Sequence, residues 1–185
     1  MEKSLVLVAI FAALIAVLGL IPNLTLAFGV PITAQNLGVM LAGAVLGARR
    51  GGLAVLLFLL LVALGLPLLS GGRGGLGVFL SPSAGFLVGY PVAAFVIGLI
   101  VERWRSAPLG LVATLASLIG GILVTYACGV VGMMIALDKT AVEALGLVLI
   151  FIPGDVIKSV VAGLLTASLF KARPASVLSR SDDRG

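Results

Sequence analysis

Two residues stand out in the string Phe151-Ile-Pro-Gly-Asp-Val-Ile-Lys158: Asp155 and Lys158, an acid and a base inside an otherwise apolar run. At i, i+3 spacing a helix carries both on one face. Counted back from Phe170 at about 1.5 Å per residue, they sit about 22 Å and about 18 Å into a hydrocarbon layer about 30 Å thick. Ionisable groups at that depth are expensive and face a cavity or each other. Pro153 and Gly154 just before them suit a broken or newly started helix, whose free N–H groups favour an anion. One reading is an intrahelical ion pair with a structural role. The other is a substrate site, with Lys158 for a carboxylate and Asp155 as acceptor for N–H donors.

Two further segments carry polar groups that could join such a site. The loop from Gly65 to Pro82 is rich in glycine, and Arg73 is its only charge. Its Gly72-x-Gly74-x-x-Gly77 spacing matches a dinucleotide fingerprint in letters only. That motif must follow a strand and open a helix, and no Gly-Lys-Ser/Thr follows for a phosphate loop. A loop of this kind can instead fold over a ligand as a lid, with exposed backbone N–H groups around Gly72. The second segment is Val30-Pro-Ile-Thr33-Ala-Gln35-Asn36, where Thr33, Gln35 and Asn36 either cap a helix or line the same pocket. Tyr90 and Tyr126 read as packing or cavity residues rather than catalysts. Asn23-Leu-Thr25 is formally a glycosylation acceptor, incidental so close to a membrane.

The chain excludes much other chemistry. It has 185 residues, no His, and a single Cys, Cys128, so His-based acid/base catalysis, His or thiolate metal clusters and internal disulfides are ruled out. No Ser–Lys or paired-Asp site is evident, so an intramembrane hydrolase ranks last and the chain is read as no enzyme, with no cofactor or metal. Hydrophobic residues make up 61% and charged residues 10%, with a mean hydropathy of +1.31. Soluble domains run at about 45–50% and about 25%. The solvent of this chain is therefore lipid, and disorder is excluded.

Six apolar stretches qualify as spans: Ser4–Ile21, Ala34–Ala48, Gly52–Leu66, Ser83–Val101, Leu109–Leu137 and Ala144–Phe170. The second and third are short and joined by the basic turn Ala48-Arg49-Arg50-Gly51. No alternating pattern suggests a barrel, so the expected fold is an all-α integral membrane protein of six helices. The first stretch is longer than a signal-peptide core and lacks a convincing cleavage site, so it is read as a retained helix. With six spans both termini share a side. That side collects Lys3, Arg49, Arg50, Arg103, Arg105, Lys171, Arg173, Arg180 and Arg184, against Arg73 and Lys139 opposite. The bias makes both termini cytoplasmic and puts the polar site toward the outer side of the inner membrane. Trp104, between Arg103 and Arg105, reads as an interface anchor. Basic residues scattered singly over turns give no nucleic-acid surface. Residues 1–171 form the transmembrane domain and 172–185 a polar, mobile cytoplasmic tail.

Small residues recur at helical spacing. Ala9, Ala13 and Ala16 make one stripe, Ala113, Ser117 and Gly121 another, with Gly43-x3-Gly47 and Gly85-x3-Gly89 besides. Such spacing lets backbones approach closely, within the bundle or against another membrane protein.

Taken in order, Val30-Pro-Ile-Thr-Ala-Gln35, Gly65-Leu-Pro with Ser70-Gly-Gly72, Ser81-Pro-Ser-Ala-Gly-Phe-Leu-Val-Gly89 and Asp155-x-x-Lys158 resemble the BioY family. These are biotin-binding S components of energy-coupling factor (ECF) vitamin transporters. The likeness covers about residues 5–171. It departs at Ser81-Pro82-Ser83, where the family usually has Gly-Pro-Thr, and the position of Arg73 varies among such proteins. The resemblance implies an S-component-like bundle, biotin as transported ligand, and a complex with a scaffold membrane protein and two ABC-type ATPases. It implies that Asp155 and Lys158 are the family's ligand pair and that Ala9, Ala13 and Ala16 meet the scaffold. The expected substrate-binding set is Asp155, Lys158, Arg73, Gln35, Thr33, Asn36, Gly72 and Tyr90. Alternatives are an S component for another water-soluble vitamin, or a stand-alone channel or secondary carrier, a homo-oligomer if it acts alone, using Asp155 as an ion or proton relay.

Overall fold

Apolar runs without water to satisfy their backbone close their hydrogen bonds internally, and the computed structural model, which describes residues 2–22 and 24–181, is accordingly helical. Its helices are α1 (Glu2–Leu18), α2 (Gln35–Leu46), α3 (Ala48–Ala63), α4 (Ala84–Arg103), α5 (Leu109–Leu137) and α6 (Ala141–Ala172). The last three are long and apolar enough to cross a membrane. A minimal antiparallel pair, β1 (Leu24–Thr25) with β2 (Pro31–Ile32), closes the connection from α1 to α2. Asn23 and Arg184, used above for a glycosylation signal and for orientation, lie outside the described residues.

Helix α4 is the centre of the bundle, packed against α2, α3 and α5, while α6 lies along α5 and α2. Phe58, Met40 and Ile97 are fully buried between them. The small-residue stripes explain the close contacts. A Cβ on Gly85 or Gly132 would run into the backbone of the other, so α4 and α5 meet almost backbone to backbone. Ala113 and Ser117 are fully buried, whereas Ala9 and Ala13 are exposed and Ala16 is half-buried. The outside is as apolar as the inside: Leu60, Leu123, Ile135 and Leu164 are all more than half exposed. A surface like that is soluble only in lipid.

Three expectations change. The basic segment Ala48–Gly51 is the first turn of α3 rather than a non-helical turn, because the chain reverses at one residue, Gly47, with φ 86°. The Ala48 N–H, an orphan donor of the new helix, is met by Glu102 Oε1 at 2.8 Å from the end of α4. The last helix starts at Ala141, three residues early, where Thr140 and Glu143 form a reciprocal cap. It runs through a 3₁₀ turn, Leu149–Phe151, and resumes as α-helix at Ile152, where Pro153 needs no N–H partner. The tail is not free along 174–181. Val177 is fully buried, Ser179 Oγ donates to the Ala44 carbonyl at 2.6 Å, and Arg180 donates to the Trp104 carbonyl at 2.9 Å. This segment caps the bundle end that holds the α2–α3 reversal.

Candidate ligand site

At the opposite end of α4, five segments converge on one recess: the start of α2, the loop before α4, the start of α4, the middle of α5 and the start of the α-helical part of α6. Its open space, mouth included, is about 540 Å³. Asp155, Lys158, Arg73, Gln35, Thr33, Asn36 and Tyr90 all line it. Gly72 does not. It lies in the tight turn between Leu69 and Arg73, which exchange backbone hydrogen bonds at 3.0 and 3.2 Å, and its φ of 70° is what that turn requires.

Asp155 is buried, and both its carboxylate oxygens are held. Oδ1 accepts from Lys158 Nζ at 2.7 Å, and Oδ2 accepts from Tyr126 Oη at 2.8 Å. The two charges therefore pair across one helical turn, as their spacing required, but the sequence did not single out Tyr126 as the third member. Tyr126 also stands in an aromatic cluster with Phe86 and Phe151, rings crossing edge to face at centroid distances of 6.5 Å or less, and with Phe28 beyond Phe151. Phe86 and Phe151 make the apolar wall of the recess.

Another part of the lining depends on an irregularity of α5. Residues Ile119–Val124 form a π-helical segment, and such segments leave carbonyls without their ordinary partner. Thr125 Oγ1 takes the Gly120 carbonyl at 3.0 Å, and Asn36 Nδ2 takes the Gly121 carbonyl at 3.1 Å. Asn36 is buried, and its Oδ1 has no hydrogen-bond partner. An unmet buried acceptor lining a recess has lone pairs free to accept from a donor outside the chain.

Arg73 reaches in from the loop. Its Nε donates to the Ser70 carbonyl at 3.2 Å, and its other arm donates to Ser83 Oγ at 3.3 Å. Among the described residues it pairs with no carboxylate. Partial burial pulls the guanidinium below its ordinary range, the sign of a cation short of solvent. Thr33, one residue before the N-cap Ala34, accepts the Gln35 N–H at 3.2 Å and so meets one orphan donor of α2. Gln35 borders the recess, but its carboxamide is engaged with backbone: Nε2 donates to the carbonyls of Ile15 (3.2 Å) and Leu68 (3.0 Å), and Oε1 accepts from Ser70 N at 3.0 Å.

A helical, lipid-solvated bundle with a charged recess at the end of its central helix defines the class: a membrane protein built to hold a small polar ligand. Residues 2–175 match the model described as the BioY family. The chain belongs to the BioY family. It is 50% identical to the biotin transporter BioY of Rhodobacter capsulatus over 97% of this chain and 100% of that protein. It is 45% identical to the probable biotin transporter BioY of Bacillus subtilis, over 89% of each. A solved structure, described as the S-component for biotin from an ECF-type ABC transporter, superposes with a TM-score of 0.87 at 32% identity, covering 92% of each chain.

Proposed function

We propose that this chain binds biotin and carries it across the cytoplasmic membrane as the substrate-specific subunit of an ECF-type transporter. In this reading six helices cross the membrane, both termini are cytoplasmic and the recess opens toward the outer side, in line with the positive-inside bias. The observation that carries it is the charge of the recess: Arg73 and Lys158 against Asp155, one net positive charge beside an apolar wall. That complements a monoanion with an apolar body. Biotin offers a carboxylate, an apolar bicycle and chain, and a ureido group with two N–H donors and a carbonyl. Because Lys158 is already held by Asp155, the carboxylate falls to Arg73. The ureido N–H groups donate to Asn36 Oδ1 and Asp155, and a spare Lys158 N–H donates to the ureido carbonyl.

No bond is made or broken in this function. The sequence holds no phosphate-binding loop, so energy comes from partner ATPases through a scaffold protein that meets the exposed Ala9, Ala13 and Ala16 stripe. Calorimetry on the purified chain tests the binding reading. Biotin should bind tightly, and Asp155→Asn should weaken it by roughly 2–5 kcal/mol, the scale of a broken buried charge pair. A wild-type chain that prefers thiamine or riboflavin to biotin would move the assignment to another vitamin.

A further inference from the structure

Gln35 makes no hydrogen bond that faces the recess, although it borders it. Its carboxamide joins three segments that are far apart in sequence: the end of α1 through Ile15, the start of α2 on which it sits, and the loop leading to Arg73 through Leu68 and Ser70. The Ile15 carbonyl is available because α1 tightens as it ends. Gly19 N–H bonds back to the Ala16 carbonyl at 3.0 Å, leaving Ile15 without its usual donor. Gly19 is also the residue that admits the loop. A Cβ there would lie 2.6 Å from the Leu68 carbonyl oxygen and 2.8 Å from Gln35 Nε2. The buried amide, 3% exposed, is thus a fastener between α1 and the segment that carries Arg73 into the recess.

We propose that Gln35 is a positioning residue rather than a ligand group, and that it links the placement of Arg73 over the ligand to the placement of α1. The proposal deepens the biotin reading in its ligand arm and is independent of it in its structural arm. Arg73 follows Ser70 by three residues in a tight turn, so a shift at Leu68 and Ser70 moves the guanidinium with it. The other end of the link, Ile15, adjoins Ala16 of the outward stripe, so a partner gripping α1 and a ligand gripping Arg73 act on one chain of bonds. Such coupling is reciprocal for binding.

Two variants test the link by different routes. Gln35→Met keeps the volume and removes all three hydrogen bonds; Gly19→Ala keeps Gln35 and wedges the loop off α1. Hydrogen–deuterium exchange on the ligand-free protein should show segment 68–75 exchanging about tenfold faster in both, with α4 and α5 unchanged. The biotin dissociation rate should rise about tenfold in both, and less than multiplicatively in the double variant, because both break one link. In the wild type, biotin should slow exchange at residues 18–20, and in Gln35→Met it should not. Unchanged exchange in segment 68–75, or equal acceleration throughout the bundle, overturns the link. If the wild type binds no biotin, the biotin reading falls, and exchange in the ligand-free variants still decides on the link.

Discussion

Replacing Tyr126 with Phe removes one oxygen and nothing else. The ring keeps its edge-to-face contacts with Phe86 and Phe151, so the packing term is close to zero. What is lost is the 2.8 Å hydrogen bond to Asp155 Oδ2, a bond to a charged group worth about 1.5–3 kcal/mol. Asp155 then keeps Lys158 on Oδ1 and has a buried oxygen without a donor. The ligand-free protein should lose that amount of stability. Affinity should behave differently. If a ureido N–H donates to Asp155, the ligand supplies the donor that the variant lacks, so the affinity of Tyr126→Phe should stay within about twofold of wild type or improve. The assay pairs a detergent melt of the ligand-free protein with biotin calorimetry, and adds a double-mutant cycle against Asp155→Asn with a coupling of about 1.5–3 kcal/mol. A tenfold loss of affinity with an unchanged melt would refute the reasoning, because it would make the hydroxyl a ligand group and the Asp155 contact idle.

Other outcomes follow from the same geometry. Arg73→Gln should weaken biotin by about 1–3 kcal/mol through the lost charge-assisted contact and leave the neutral biotin amide almost untouched; equal losses for both would remove Arg73 from the carboxylate. Val177→Asp puts a charge into a fully buried site and should release the segment after α6, read as rapid cleavage by added protease near residues 173–176, with biotin binding retained at the far end of the bundle. Ala9→Trp with Ala13→Trp, on an exposed face, should abolish uptake by the assembled transporter and leave biotin affinity intact; loss of both would point to misfolding.

The charged pair was legible because it breaks an apolar run: Asp155 and Lys158 are neighbours on one helix, and spacing alone brings them together. The small-residue stripes were legible for the same local reason. Tyr126, Asn36 and the seat of Ser179 were legible only as residue types, because their partners lie 29, 85 and 135 residues away. No periodicity reports which carbonyl an amide will find across a bundle. Gln35 shows the cost of that blindness. Its chemistry suits a ligand and its position borders the recess, yet its hydrogen bonds go to backbone. The docked tail was missed because its polar composition outweighed one valine and one serine. The reversal between α2 and α3 was misread because arginines look like turn residues until Gly47 is seen to make the whole turn.

The π-helical segment of α5 amounts to a change of phase. A π turn takes up more residues than an α turn, so everything after Val124 is rotated relative to a plain α-helix drawn from Leu109. That offset lets Ala113 and Ser117 face the bundle on one side of it while Thr125 and Tyr126 face the recess on the other. Wound as plain α-helix with no residue removed, the segment would swing the following residues by about 100°. Tyr126 would then turn away from Asp155, and Gly129 and Gly132 would leave the surface of α4. The widened turn is the gear by which one helix serves two surfaces that its sequence, wound regularly, could not serve together.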